Sequence, residues 1–244
     1  MNFFLFPIFL AFKKNFHYSI AMIDLKNIPV FSVLSSSEME EVKPYLTPMK
    51  FKKKEVVFSE GDTSDWLYVV TKGKVKITKL SSSGRELILE VIAPYEIFGA
   101  VAVMRGFPYP ANAVAMEYAE VLRISRSNLM RILDRFPNLM YCMAMNIGDR
   151  IKGSHEALKN IAVEKVESRI ASLLLKLADK AGVKTDKTVA IDMKLTKQDL
   201  AEMVGTTVET SIRTMSKFKK QGVVSEKGGN IVITDLNKLK SLCG

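Results

Sequence analysis

Residues 195 to 222, LTKQDLAEMVGTTVETSIRTMSKFKKQG, constrain the fold more than any other stretch, because they read as two short helices joined by a tight turn at a glycine. Thr196 followed three residues later by Asp199 is a capping-box arrangement. It starts a helix whose Leu200, Ala201 and Val204 face inward. Gly205 ends that helix, since glycine adopts the left-handed backbone of a sharp interhelical turn without steric cost. Thr206 or Thr207 then caps a second helix, predicted from about Val208 to Lys220.

On that second helix Val208, Glu209, Ile212 and Arg213 stand at i, i+1, i+4 and i+5 and share one face. A major-groove reader concentrates its base contacts on such a face. Arg213 has the donors for O6 and N7 of guanine, and Glu209 can accept from the exocyclic amine of cytosine. The plain alternative is a surface ion pair between Glu209 and Arg213, worth about 0.2–0.5 kcal/mol. Context decides against it: the basic tail Lys217, Lys219 and Lys220 leads into GVVSEKGGNIVITD, whose alternating apolar residues broken by Gly228 and Gly229 read as a β-hairpin wing.

Residues 195 to 235 resemble the winged helix-turn-helix of the CRP/FNR superfamily of bacterial transcription regulators, whose recognition helix carries an E-[ST]-x-x-R core, here Glu209, Thr210, Ser211, Ile212 and Arg213. Val208 places the match nearer the FNR branch. The order Ser211 then Ile212 departs from that branch and makes the groove-facing position apolar. The resemblance runs from Met22 to about Lys240 and implies an α+β chain: an antiparallel β-roll of the double-stranded β-helix or jelly-roll type over residues 22–135, a long dimerisation helix over 136–162, and a winged helix-turn-helix over 163–244. It implies a cytoplasmic, homodimeric, sequence-specific regulator that couples a sensor to a palindromic operator in double-stranded DNA and acts with RNA polymerase. Its DNA-binding set would be Thr206, Thr207, Val208, Glu209, Ile212, Arg213 and Lys217. A nonspecific architectural DNA-binding dimer and a regulatory subunit that binds no DNA remain open as alternatives.

The formal net charge of +10, from 36 Lys and Arg against 26 Asp and Glu, suits a polyanion partner. Half of that excess lies in residues 163–244, with 15 basic against 10 acidic residues, so position rather than total charge makes the case. Cys142 and Cys243 form neither a disulfide framework nor a zinc site. Oxygen-sensing relatives hold an iron–sulfur cluster on several cysteines, most of them near the N-terminus, and the lack of any before Cys142 excludes that cofactor. Residues 3–12, FFLFPIFLAF, fall short of the roughly 20 apolar residues a bilayer span needs. Residues 1–21 read as a translated upstream leader or a short appendage, and no membrane association is expected. No P-loop, GxSxG, Cys/His nucleophile pair or HExxH occurs, so an enzyme is not expected.

From Phe51 to about Ser125, short alternating apolar runs are punctuated by Gly61, Gly73, Gly84 and Gly99, which predicts an antiparallel barrel or sandwich. The arrangement resembles the β-roll of cyclic-nucleotide-binding domains. In those domains the cassette FGE-[LI]-A…-R-[ST]-A binds the ribose through its Glu and the cyclic phosphate through its Arg. Here the Glu position is Ala100 and the Arg position is Tyr109, with Pro110 where a hydroxyl residue is expected. Binding of cAMP is therefore not expected. A pocket at this place would be apolar and aromatic, lined by Phe98, Gly99, Ala100, Tyr109 and Pro110, and its ligand is unassigned.

After Arg126 the period turns helical, and Pro137 suits the first turn of a long helix. Met140, Ala144, Ile147, Ile151, Ser154, Leu158 and Ile161 recur at spacings of four and three, a heptad seam for a second copy of the chain. Ser154 and His155 fall where cAMP-binding relatives place two hydroxyl residues that meet the adenine across the dimer. His155 is the one candidate haem or metal ligand near this pocket, although a lone helical histidine is more often a surface or interface residue. His17 lies in the leader-like stretch.

Overall fold

The computed structural model describes residues 25–82, 84, 86–185 and 188–243, so the leader-like residues 1–21 and His17 lie outside the described chain. Two compact units account for the rest, residues 25–78 with 91–149, and residues 79–90 with 150–243.

In the first unit, two 3-10 turns (Leu25–Asn27 and Pro29–Phe31) precede helix α1 (Ser36–Val42). Ser35 and Glu38 form a complete capping box at its start, satisfying two backbone donors that would otherwise lack partners. Alternating apolar residues then form two four-stranded sheets. One has the order β1 (Thr47–Phe51), β8 (Ala119–Ser125), β3 (Trp66–Lys72), β6 (Ile97–Phe98); the other has the order β2 (Val56–Phe58), β7 (Asn112–Ala115), β4 (Val75–Leu80), β5 (Glu86–Ile92), of whose last two strands residues 75–78 and 91–92 belong to this unit. Their described registers are antiparallel, as between Tyr68 and Arg123 or Ile77 and Ala113. Val69, Phe98, Leu122 and Ile124 are buried in the core of this unit, each such side chain contributing roughly 1.5–3 kcal/mol. Gly73 is required where it stands: its φ is +72°, and a Cβ there would lie 2.2 Å from the Tyr118 carbonyl oxygen.

Helices α2 (Ala100–Arg105) and α3 (Arg126–Arg135) lead to α4 (Pro137–Val163), which opens on the expected proline. Leu139 and Met143 anchor its first turns in the core of the first unit. Beyond its C-terminus, Arg169 donates to the carbonyls of Ile161 (3.3 Å) and Glu164 (3.5 Å), covering acceptors that a helix end leaves free.

The second unit is built on α5 (Val166–Ala181), whose Ile170, Ala171, Leu174, Leu177 and Ala178 are buried at helical spacing. Helices α6 (Lys197–Val204) and α7 (Val208–Lys220) pack on it, and α8 (Leu236–Ser241) closes the chain. The sheet has the order β11 (Val224–Lys227), β12 (Asn230–Ile233), β10 (Val189–Ile191), β9 (Gly182–Lys184). The wing thus exists as the β11–β12 hairpin, and the segment from Gly182 to Lys194 contributes two further strands, with Val189 registered on Ile233.

Candidate functional site

Each terminus of the helix pair is held by the residue type its backbone needs. Thr196 Oγ1 accepts from the Asp199 amide at 3.0 Å, while the Asp199 carboxylate accepts from the Thr196 amide at 2.8 Å. Gly205 takes φ +66° and ψ +50°, and Thr207 Oγ1 accepts from the Thr210 amide at 3.3 Å. These caps fix where α7 starts. Met215 and Phe218 point into the unit, and Glu209, Ile212, Arg213, Ser216 and Lys217 are exposed along the opposite face. Thr206 and Val208 are half-buried beside them, and Thr207 is exposed.

No ion pair joins Glu209 to Arg213. The Glu209 carboxylate turns back on the helix N-terminus, where hydrogen bonds from its own backbone N–H and then from Thr207 hold it below the usual carboxylate range. Arg213 has no partner among the described residues, so its guanidinium presents all its donors outward. The basic tail is different. Lys217 pairs with Glu167 of α5 at 2.7 Å, and Lys219 pairs at 2.8 Å with Glu226 of β11, which also binds Lys197 of α6. Those two lysines lower the Glu226 carboxyl to about 2. Glu226 thus ties the wing to both helices of the pair, a role invisible from its place in the sequence because its partners stand 29 and 7 residues away.

The seam residues of α4 lie along one side of the helix. Met140, Ile151, Leu158 and Ile161 are 41 to 64% exposed, Ala144 and Ser154 are exposed, and Ile147 is half-buried. An apolar stripe of this kind is unpartnered in a single chain. Ser154 Oγ donates to the Arg150 carbonyl one turn back, and His155 is exposed.

Phe98, Gly99, Ala100 and Tyr109 come together, but as a packed cluster rather than a lining. Tyr109 is 3% exposed and stacks on Phe58 at 3.7 Å between centroids, with Tyr68 stacked on Phe98 at 5.1 Å. The Tyr109 hydroxyl donates to the Trp66 carbonyl and accepts from the Trp66 amide at 3.2 Å. Burial, more than the neighbouring Tyr68, pushes its acidity far down. Pro110 is the exception to the expected lining: it is exposed, at a bend just outside the cluster. Phe58, Trp66 and Tyr68 were not anticipated here, and the turn sequence Gly61-Asp62 was the nearest sequence signal: the Tyr109 amide donates to the Asp62 carbonyl at 2.9 Å and that of Gly61 to the Tyr109 carbonyl, also at 2.9 Å. A guanidinium for a cyclic phosphate and a carboxylate for a ribose are missing from the cassette positions, and the space is filled by a ring whose one polar atom is already satisfied. The residues present do not fit a cyclic nucleotide held in the usual way. Among the described residues no group of three or more His, Cys, Asp or Glu is arranged to hold a metal ion, and no helix is long and apolar enough to cross a membrane.

Residues 48–136 match the family model of the cyclic nucleotide-binding domain, and residues 168–242 match that of the Crp-like helix-turn-helix domain. The chain is similar to a CRP-like cAMP-activated global transcriptional regulator of Mycobacterium tuberculosis, with 25% identity over 210 residues covering 86% of this chain and 94% of the relative. It is also similar to an anaerobic regulatory protein of Haemophilus influenzae, with 27% identity over 86% of this chain and 82% of that protein. Its fold matches that of FixK2 from Bradyrhizobium japonicum, with a TM-score of 0.72 and 23% identity over 82% of this chain and 98% of the other.

Proposed function

Because the chain belongs to the CRP/FNR superfamily and is a DNA-binding transcription regulator, we propose that it binds a palindromic operator as a homodimer, placing the exposed face of α7 in the major groove. The observation that carries this reading is Arg213, exposed and without a partner among the described residues, on a helix whose start is fixed by the Thr207 cap. Arg213 reads a guanine, Glu209 a neighbouring cytosine, and Thr206, Thr207 and Lys217 hold the sugar-phosphate backbone. Lys217 reaches a phosphate by exchanging its bond to Glu167, a trade of one anion for another. The stripe Met140, Ala144, Ile147, Ile151, Ser154, Leu158 and Ile161 joins two copies, which sets two recognition helices roughly 34 Å apart, one turn of the duplex.

The sensor unit responds to something other than cAMP or to no small ligand, since Tyr109 occupies the place of the phosphate-binding cation and Ala100 that of the ribose-binding carboxylate. The regulator works in the cytoplasm with RNA polymerase. Selection from random duplexes by the purified chain tests the reading: it should enrich two inverted half-sites about 10 base pairs apart. Affinity that ignores sequence would mark an architectural binder instead, and absence of DNA binding would leave a regulatory subunit.

A further inference from the structure

Residues 211 and 212 reverse the pattern that stability asks of an amphipathic helix. Ser211 is fully buried and its Oγ has no hydrogen-bond partner among the described residues, while Ile212, the next residue, is 46% exposed. A buried hydroxyl without a partner costs free energy, and an isoleucine in water returns none. Elsewhere on α7 the large apolar residues Met215 and Phe218 are inside and the charged residues Glu209, Arg213, Lys217, Lys219 and Lys220 are outside. A local rule broken at one point, with no compensating partner among the described residues, points to a contact outside the chain.

We propose that Ile212 is a specificity-determining residue that packs against the 5-methyl group of a thymine. This rests on the reading of α7 as the groove helix. Ile212 stands three residues after Glu209 and immediately before Arg213 on the exposed face, so base contacts by those two carry its side chain into the same groove. Every base edge there offers donors or acceptors, and the one apolar group is the thymine methyl. Isoleucine has nothing to give the amine of cytosine or adenine or the O6 of guanine, and would strand them without water. Against a methyl it loses nothing, and its β-branched side chain already holds one strongly preferred rotamer in a helix.

Removing one methyl from such a contact weakens binding by about fourfold per half-site. The test takes the duplex chosen by selection and replaces each thymine in turn with deoxyuridine, which deletes only that methyl, then measures affinity for the unmodified protein and for Ile212→Ala. One thymine per half-site should be sensed about fourfold by the unmodified protein and not at all by Ile212→Ala, with Ile212→Val retaining most of the effect. If no thymine is sensed, or if Ile212→Ala loses as much as the parent, the methyl contact does not involve Ile212. The deoxyuridine series on the unmodified protein needs no variant to fold. A selection that enriches no sequence overturns the groove reading itself, and is distinguishable because it fails before any thymine is replaced.

Discussion

Replacing Glu226 with Gln removes the charge that holds the wing against both helices of the pair while keeping the shape of the side chain. Its partners Lys197 and Lys219 are 31% and 38% exposed, and Glu226 itself is 37% exposed, so water screens both pairs. Exposed ion pairs contribute about 0.2–1 kcal/mol each, and two of them sharing one carboxylate hold the wing with about 1 kcal/mol. That is a local stability, so amides of β11 and β12 should exchange with solvent about fivefold faster in the variant at pH 7, while those around Leu174 in α5 are unchanged. The folded carboxyl titrates at about 2, below its ordinary 4.5. The stabilisation is therefore fully present above about pH 4.5 and lost as pH falls toward 2, and the difference between the two proteins should be constant from pH 8 to 5. High salt should shrink it. Equal exchange in the two wings, or acceleration of wing and α5 together, would refute the local clamp.

Arg213→Ala should weaken specific binding by about 1–3 kcal/mol and leave salt-sensitive binding to random DNA nearly intact, as read by competition titrations; a uniform loss across sequences would remove its base-reading role. Ile151→Asp or Leu158→Asp should yield monomers in sedimentation at micromolar protein and lose operator affinity in parallel, because each places an unpaired charge in the seam; a dimer in either case contradicts the seam. Calorimetric titration with cAMP at micromolar concentration should show no saturable heat, and binding at one site per subunit would mean that Tyr109 moves aside.

What sequence disclosed was local. The Thr196 and Asp199 box, the turn at Gly205 and the cap at Thr207 each depend on residues within three positions, and all three stand where the spacing placed them. The exposed apolar side of α4, proposed as the seam between two copies, likewise follows from local spacing alone. The β9–β10 hairpin was not legible, because its strands have three residues each and β10 is joined to the sheet by a partner, β12, some forty residues downstream. Long-range choices also hid the fate of Tyr109. Whether an aromatic residue lines a pocket or fills it depends on what stacks against it, and Phe58 arrives from 51 residues earlier. Pro110 follows from the same choice: it stands at a bend directly after the buried Tyr109 and is exposed.

Tyr109 therefore completes the interior of the β-roll with its own ring. Tyr109→Phe isolates the polar part of that role. The ring and its stack on Phe58 are retained, but the Trp66 carbonyl loses its donor and the Trp66 amide its acceptor. Leaving partly buried backbone groups unpaired costs about 1–3 kcal/mol. Trp66 is the single tryptophan, so its fluorescence follows the unit that the hydroxyl holds together. In urea the fluorescence midpoint of Tyr109→Phe should fall by about 0.5–2 M, given a slope of about 1–3 kcal/mol/M. Tyr109→Arg should fall further, because it buries a cation between aromatic rings with no phosphate to meet it. A Tyr109→Phe midpoint equal to that of the parent would show that the hydroxyl bond to Trp66 contributes nothing. The cluster would then be held by its rings alone, leaving the hydroxyl available to a ligand.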